Sequence, residues 1–374
     1  MQQTNDKNLW LEIDLTAIEG NVGQFIERTA VRVMAVVKAN GYGHGLVESA
    51  RAVIGAGAAF CGIARVEEGL ELRRAGIEAP ILVMGRTADS EIAQAVVEGL
   101  HLTVFHAEQI AVLSTAARIS GQPALIHVKV DTGMSRLGIS PREAPIFFKH
   151  LADTSGIQVE GIFTHLARAD EPEEPTTAEQ ENLFRTVIDT LDDAGLRPPL
   201  AHAANSAGAL TRPSVRFDMI RAGIAIYGLE PFRDRPLPDG FRPAMSWKAR
   251  LVQVRKFPPG TGVSYGHEYT TTKDELIGVV PVGYGDGFRR VSGNEVLVHG
   301  KRVPVRGRVC MDQLMVGLDE VPQSKVGDEV VLLGTQGGDR ISAEEVGIRW
   351  GTINYEVTSA IPSRVPRIYS PVSS

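Results

Sequence analysis

Residues 31–45 read VRVMAVVKANGYGHG. The apolar run from Val31 to Val37 has the composition of a strand buried on both faces. It stops at Lys38. A turn holding Gly41, Tyr42, Gly43 and Gly45 follows, and then a helix-like segment from Leu46. Strand, glycine-rich turn and helix make a βα unit, with one ammonium at the carboxyl end of the strand. That end is where α/β enzymes place working groups. Lysine is seldom buried unless it is paired or chemically used. On this segment alone, a lysine snorkelling outward accounts for it equally well. GYGHG is not a dinucleotide fingerprint, because it trails a lysine and puts Tyr42 and His44 in its middle positions.

The same beat runs outward in both directions. Trp10–Leu15 alternates as a strand, and Thr16 is placed to cap a helix from Ala17 to Arg28. Strands are expected at 31–39, 59–64, 79–85, 100–105, 124–131, 159–165, 200–204 and 221–227. Helices fall between them at 46–55, 66–75, 90–97, 107–119, 141–151 (started by Pro141), 178–194 and 206–210. Eight apolar strands separated mostly by helices close naturally into a (β/α)8 barrel. A doubly wound open sheet is the alternative, weakened by the missing GxGxxG.

Near Leu229 the pattern changes. The segment EPFRDRPLPDGFRP reads as a boundary, and the helical period is lost beyond it. Short alternating runs follow at 245–255, 276–282, 295–298, 301–305, 314–317 and 329–333, with a helix at 342–348 opened by a Ser342/Glu345 capping box. The expected fold is therefore α/β plus β: residues 1–240 form a TIM-type barrel and residues 241–374 a mostly-β domain.

The whole chain has 374 residues, 43 % of them hydrophobic and 22 % charged, which is ordinary for a globular protein. A formal charge of −6 argues against a broad nucleic-acid surface. No apolar run reaches membrane-spanning length, and the polar start is no signal peptide. Cys61 and Cys310 sit far apart in apolar surroundings and read as buried thiols of a reducing compartment. The expectation is a cytoplasmic protein.

The polar residues fall in register at the strand ends. They are Lys38, Asp131 and Arg136 beyond HVKVD, His165 closing GIFTH, Asn205 and Ser206 after AHAA, and Arg221 with Gly223 in RAGIAIYG. His165 reads equally as a satisfied core histidine, and Arg136 as a surface residue capping a loop. Lys129 lies inside a strand, facing opposite to Val128 and Val130. A bare ammonium inside a barrel is costly, so it needs a partner or a neutralising modification. In the β domain, Tyr265, Tyr284 with Asp286, Arg308 with Met311 and Asp312, and Tyr355 occur in polar loops that suit a domain closing over a site. Tyr269 reads as plain loop packing.

A strand-end lysine without a metal cluster or close carboxylate pair points to covalent lysine chemistry with a carbonyl. Pyridoxal phosphate suits Ser206 and the backbone near Gly223 as phosphate ligands. A class I aldolase and a non-catalytic ligand-binding barrel remain the rivals.

The segments AVVKANGYGHG, HVKVDTGMSRLG, GIFTHLARAD, AANSAGAL, RFDMIRAGIAIYG, VSYGHEYT, VGYGDGFRR, RVCMDQ and GTINYEV, in this order, resemble the bacterial alanine racemase family of fold-type III pyridoxal-phosphate enzymes. The resemblance implies racemisation of L- and D-alanine, supplying D-alanine for peptidoglycan or serving alanine catabolism. A serine or broader-specificity racemase is the alternative. It implies that Lys38 holds pyridoxal 5'-phosphate through a covalent imine and acts as base toward the D-enantiomer. Tyr265 serves the L-enantiomer from the other subunit of a homodimer with shared active sites. Arg221 faces the pyridine nitrogen, and His165 lies between that arginine and the tyrosine. Tyr42, Ser206, Gly223, Ile224 and Tyr355 hold the phosphate. Arg136 and the Met311 backbone bind the substrate carboxylate. Lys129 corresponds to a lysine that is often carbamylated (N6-carboxylysine), Asp312 supports the tyrosine loop, and Tyr284 lines the entrance. The first strand is implied to pack with the β domain.

Overall fold

The computed structural model describes residues 7–171, 173–232 and 234–370. They form two compact units. One comprises Ala17–Gly41 and Leu46–Arg242; the other comprises the residues up to Thr16, Tyr42–Gly45 and those from Pro243 onward.

The first strand, β1 (Leu9–Asp14), belongs to the second unit. The first unit holds eight parallel strands: β2 (Arg32–Val36), β3 (Phe60–Ile63), β4 (Ile81–Arg86), β5 (His101–Val104), β6 (Ala124–Lys129), β7 (Ile157–Phe163), β8 (Leu200–His202) and β9 (Met219–Ala222). They hydrogen-bond in the order β8-β7-β6-β5-β4-β3-β2-β9, so the last strand returns to the first, with Met34 opposite Arg221. Single backbone bonds, Asp218 N–H to Ala201 O and Arg221 N–H to Ala204 O, span the remaining gap between β8 and β9. The result is a nearly closed barrel. β3 and β5 are buried at every position, as expected for parallel strands covered on both faces. Met34, Phe60, Leu82, Leu200 and Met219, contributed by five strands, form one buried cluster. They pack the interior of the barrel, which is a filled core and not a pore.

Helices alternate with these strands. The longest, Pro175–Asp193, opens with proline, whose fixed φ and missing N–H suit the first turn. Its buried residues Thr177, Gln180, Phe184, Val187 and Leu191 recur every three or four positions and form one face.

The second unit is mostly β. Its later strands are β10 (Met245–Arg250), β11 (Gln253–Phe257), β12 (Gly262–Val263), β13 (Tyr269–Thr270), β14 (Glu275–Val280), β15 (Glu295–Val298), β16 (Lys301–Pro304), β17 (Leu314–Gly317), β18 (Glu329–Gln336), β19 (Asp339–Ile341) and β20 (Arg367–Ser370). The main sheet runs β16-β15-β18-β10-β1-β20, with β19 on β18; β11-β14-β17 and β12-β13 form smaller sheets. β1 lies inside the main sheet, antiparallel to β10 and parallel to β20. β10 alternates buried and half-buried residues, the period-two signature of a strand with one covered face.

Several expectations need correction. Thr16 does not cap the first helix, which spans Leu15–Thr29; its hydroxyl bonds Asp14 instead. The helix expected from Pro141 begins at Ala144, and the proline in its first turn is Pro145. The strand expected at 221–227 ends at Ala222, and Ile224–Tyr227 is a 3-10 turn entered through Gly223. The run 245–255 is two strands belonging to different sheets. Ser342 does cap the helix Ala343–Trp350, but the Glu345 carboxylate is drawn to Arg302 and Arg349. Cys61 is buried, whereas Cys310 is only partly so. The short helix Asn354–Ser359 and the strand β20 were not foreseen. The polar start, residues 1–6, lies outside the described residues. Among the described residues, no helix is long and apolar enough to cross a membrane.

Candidate active site

Lys38 leaves the end of β2 half-buried. Ala39, Asn40 and Gly41 follow at φ 53°, 54° and 61°, and Tyr42 continues at φ 51°. This is a left-handed turn of four residues, at a cost of about 1–2 kcal/mol for each non-glycine one. Three bonds offset that cost. Ala39 N–H donates to Glu68 Oε1 (2.7 Å), Leu46 N–H donates to Asn40 Oδ1 (2.9 Å), and Gly41 N–H donates to Val37 O (2.8 Å). Glu68 also accepts from the Ala64 and Arg65 N–H groups at 2.8 and 3.1 Å. One carboxylate thus ties the lysine turn to the loop after β3. Burial lowers the Lys38 pKa; Arg136 lowers it further, Glu68 opposes and Arg221 adds to the lowering. The amine is thereby made more nucleophilic than a surface lysine.

Arg221, on β9, is buried. Its Nη1 donates to His202 Nδ1 and His202 O (both 2.9 Å). Its Nη2 donates to Thr164 O (2.7 Å), Ala203 O (2.9 Å) and His165 Nδ1 (3.2 Å). Burial brings its pKa down to about 9, which still leaves the guanidinium charged at neutral pH. Burial first, and Arg221 second, drive the His165 pKa well below its ordinary value. His165 is therefore neutral. Because Nδ1 accepts from a group that can only donate, the ring proton sits on Nε2.

Lys129, at the end of β6, is buried, and its Nζ lies 5.3 Å from the Phe163 ring centroid. Burial, Arg221 and Arg136 outweigh Asp131 and bring its pKa down to about 8. Arg136 is exposed. Its loop is gathered by Asp131, whose Oδ1 accepts from the N–H groups of Gly133, Met134 and Ser135 at 3.0, 2.9 and 3.0 Å. Gln180 links this region to the next loop, bonding Thr132 Oγ1, His165 O and the Ala167 N–H. Ser206 is buried, and its Oγ accepts the Gly223 N–H at 2.8 Å. The helix Ser206–Thr211 and the 3-10 turn Ile224–Tyr227 are thus joined at their starts, where peptide N–H groups are free of intrahelical partners.

The other residues named from sequence lie in the second unit. Tyr42 and Tyr355 pack ring to ring, with centroids 6.1 Å apart. The backbone beside Tyr42 has no room for side chains. A Cβ on Gly43 would meet Thr358 O at 2.1 Å, and one on Gly45 would meet the Tyr369 hydroxyl at 2.1 Å. Tyr265, Met311 and Tyr284 are 69 %, 54 % and 46 % exposed. Their three loops meet at Cys310. Its Sγ is 3.5 Å from Ser264 Oγ, and its carbonyl accepts the Tyr284 N–H at 3.1 Å. Arg364 donates to both Asp286 and Asp312 at 2.8 Å, clamping two of these loops. Ser264, just before Tyr265, holds φ 64° and ψ −174°, a region populated almost only by glycine.

The structure thus brings Lys38, Lys129, Arg136, His165, Ser206, Arg221, Gly223 and Ile224 into one unit, and Tyr42, Tyr265, Tyr284, Met311, Asp312 and Tyr355 into the other. Sequence reading missed Glu68, Thr164, Gln180, His202 and Arg364. Only Glu68 left a local signal, as the third residue of its helix, three beyond the N-cap Arg65. A lysine of lowered pKa, a charged arginine and convergent backbone donors beside a serine fit an aldehyde cofactor bearing a phosphate.

Comparison with known proteins agrees with this chemistry. The family description "Alanine racemase, N-terminal domain" matches residues 13–231, and "Alanine racemase, C-terminal domain" matches 244–369. An alanine racemase of Symbiobacterium thermophilum is 46 % identical over 364 residues, covering 96 % of each chain. One from Desulfovibrio desulfuricans is 42 % identical, covering 97 % of this chain and 98 % of the other. Among solved structures, the alanine racemase of Bacillus anthracis with bound L-Ala-P superposes with a TM-score of 0.91 at 40 % identity, covering 98 % of this chain and 95 % of that one. The enzyme from D-cycloserine-producing Streptomyces lavendulae gives 0.92 at 37 %, covering 98 % and 97 %.

Proposed function

The chain belongs to the alanine racemase family, and from that premise we propose how its residues divide the work. It is an enzyme that interconverts L-alanine and D-alanine, and its family depends on pyridoxal phosphate. When bound, that cofactor supplies the electron-withdrawing system that makes the substrate α-hydrogen acidic.

Lys38 is the attachment point. Burial and two arginines favour its neutral amine, and with the cofactor bound that amine would take or return a proton on one face. Tyr265 of the partner subunit serves the opposite face; its exposure in the single chain supports this assignment. Two bases on opposite faces invert the centre without turning the substrate over. His165, locked with its proton on Nε2, has a donor to offer a developing phenolate. Arg221 would meet the ring nitrogen of the bound cofactor as a cation and disfavour its protonation. Ser206, Gly223, Ile224, Tyr42 and Tyr355 would hold its phosphate. Arg136 and the Met311 backbone take the substrate carboxylate, with Asp312 and Tyr284 setting the surrounding loops. Lys129, brought down to about 8, has enough neutral amine to add carbon dioxide, and the resulting anion would restrain Arg136. A two-fold dimer follows from a site completed in trans. Two cysteines without a disulfide accord with a cytoplasmic location.

The observation that carries the reading is a lysine at a barrel strand end whose pKa is lowered by burial first, then by Arg136, with Glu68 opposing and Arg221 adding. Two measurements test it. Borohydride treatment of the cofactor-loaded protein should fix pyridoxyl mass on the Lys38 peptide. Mixing inactive Lys38→Ala and Tyr265→Phe chains should restore about half the wild-type activity per heterodimer, since one site then has both bases. No recovery in verified heterodimers would refute the shared site.

A further inference from the structure

Three buried imidazoles line up behind Arg221. The guanidinium donates to His202 Nδ1 at 2.9 Å. His202 Nε2 lies 3.0 Å from His127 Nδ1, and His127 Nε2 lies 3.2 Å from His101 Nδ1. All three rings are buried. The arginine end decides the protons. A guanidinium has donors and no acceptor, so His202 Nδ1 must accept and its proton must sit on Nε2. That proton points at His127 Nδ1, which must then also accept, and the same assignment passes on to His101. We propose that His202, His127 and His101 form a tautomer-locked row, each ring neutral and protonated on Nε2, that positions the Arg221 guanidinium. The row's existence is independent of the racemase reading; only the use made of Arg221 rests on it.

A second observation supports the row. β7 lies between β6 and β8, so the His127 ring must cross β7 to reach His202. At the crossing β7 presents Gly161, the register partner of His127. A Cβ there would sit 2.2 Å from His127 Nδ1, the atom that accepts from His202, and 2.7 Å from its Cε1. The φ of Gly161 lies outside the left-handed range, so space and not backbone conformation calls for glycine. Phe163, two residues on, stacks on the His202 ring at 4.9 Å and 3° and fixes its plane.

The row cannot conduct protons, because its arginine end does not release one. Its value is electrostatic and geometric. A carboxylate behind Arg221 would hold the guanidinium by neutralising it. Neutral imidazoles hold it by hydrogen bonds and leave its positive charge uncompensated, at low local dielectric. Burial keeps all three rings neutral: His127 and His202 fall well below the ordinary histidine value, and His101 falls to about 4.

Nitrogen NMR of histidine-labelled full-length protein tests the row, with and without pyridoxal phosphate, signals being assigned from single-site variants. Each of the three rings should show an unprotonated Nδ1 and a protonated Nε2, in the cofactor-free protein as well. His101→Leu removes the terminal acceptor. It should disturb the His127 and His202 signals and lower kcat about tenfold, the equivalent of one lost hydrogen bond, with KM for alanine little changed. His101→Asn places Oδ1 where Nδ1 was and should restore both. Gly161→Ala should break the row at its middle without altering any titratable group. A protonated Nδ1 on His202, an imidazolium at any of the three positions, or His101→Leu matching wild type in spectra and kcat would overturn the proposal. Should Gly161→Ala fail to fold, the wild-type spectrum and the two His101 variants decide the matter. A wild-type protein showing the tautomers but no racemisation would refute the functional reading and leave the row standing.

Discussion

The surroundings of Arg221 and those of Cys310 are organised in opposite ways. Around Arg221 the side chains are buried, and each Nη donor of the guanidinium has more than one acceptor. Around Cys310 the loops leave Tyr265, Tyr284 and Met311 about half exposed or more among the described residues, and Ser264 carries backbone strain. The first is finished within one unit of one chain. The second has strain and exposed aromatic surface that only a further contact would use. Charge is set by burial in one region, while position is set by backbone stapling in the other. The proposed two-fold dimer would need both kinds: a chemistry centre that survives in the monomer, and a rigid projection ready for the neighbour.

If the Arg221 region is the covalent centre, Lys38→Ala should cost at least about 10⁴-fold in racemisation and leave the thermal midpoint almost unchanged; a coupled D-alanine assay with thermal melting checks both. Tyr265→Phe removes one exposed hydroxyl. It should cost about 10²–10³-fold in kcat without altering cofactor uptake, as followed by absorbance; a variant as active as wild type would remove the second base. Gly43→Ala forces a Cβ against Thr358 O at a φ of +89°. It should cost about 2–3 kcal/mol of stability by urea titration, since backbone contact allows no easy relaxation.

Lys129 gives a gentler test of the buried region. Its pKa falls from 10.5 to about 8, chiefly through burial. Between those values the unfolded chain keeps a proton that the folded chain has released. Stability should therefore rise with pH across that window, the penalty being fully present below it. Urea unfolding in carbon-dioxide-free buffer should show the slope, Lys129→Met should lack it, and saturating bicarbonate should flatten it if a carbamate forms. The smallest effect belongs to Arg364→Met. Its guanidinium is about half exposed and Asp312 more so, while buried Asp286 keeps the Gly283 N–H as a partner, so only a small, salt-sensitive loss of stability is expected. Faster hydrogen exchange at the Tyr284 and Gly285 amides, with none at Ala39, would show that the two regions are held independently.

What could be read from the chain followed the same division. The barrel strands announce themselves because a strand covered on both faces is almost wholly apolar, and Lys38 stands out against that background. The turn after it did not show its left-handedness, since Ala39 and Tyr42 have no local reason to adopt positive φ; Glu68, from another βα unit, holds it. The run after Arg221, to Tyr227, is free of charge and reads as strand, although Gly223 breaks it at φ −113° and ψ −105°. Asn354–Ser359 is only six residues long, too short for its period to register. Tyr265 and Tyr355 could be placed through resemblance alone, because tyrosines in glycine-rich loops look alike whether they pack or react. The His101–His127–His202 row left no trace in spacing, because three strands far apart in sequence build it.

β1 sits between β10 and β20, with Leu9 opposite Ala249 and Leu11 opposite Arg367. This strand precedes every barrel strand in the chain, whereas β10 and then β20 follow all of them. Until β10 is made the segment waits with both edges unpaired, and until β20 is made with one, while the barrel strands from β3 to β8 each lie beside the one made just before. The main sheet of the second unit is therefore the last part of the molecule to assemble. A chain released early would carry an open slot at that sheet's centre.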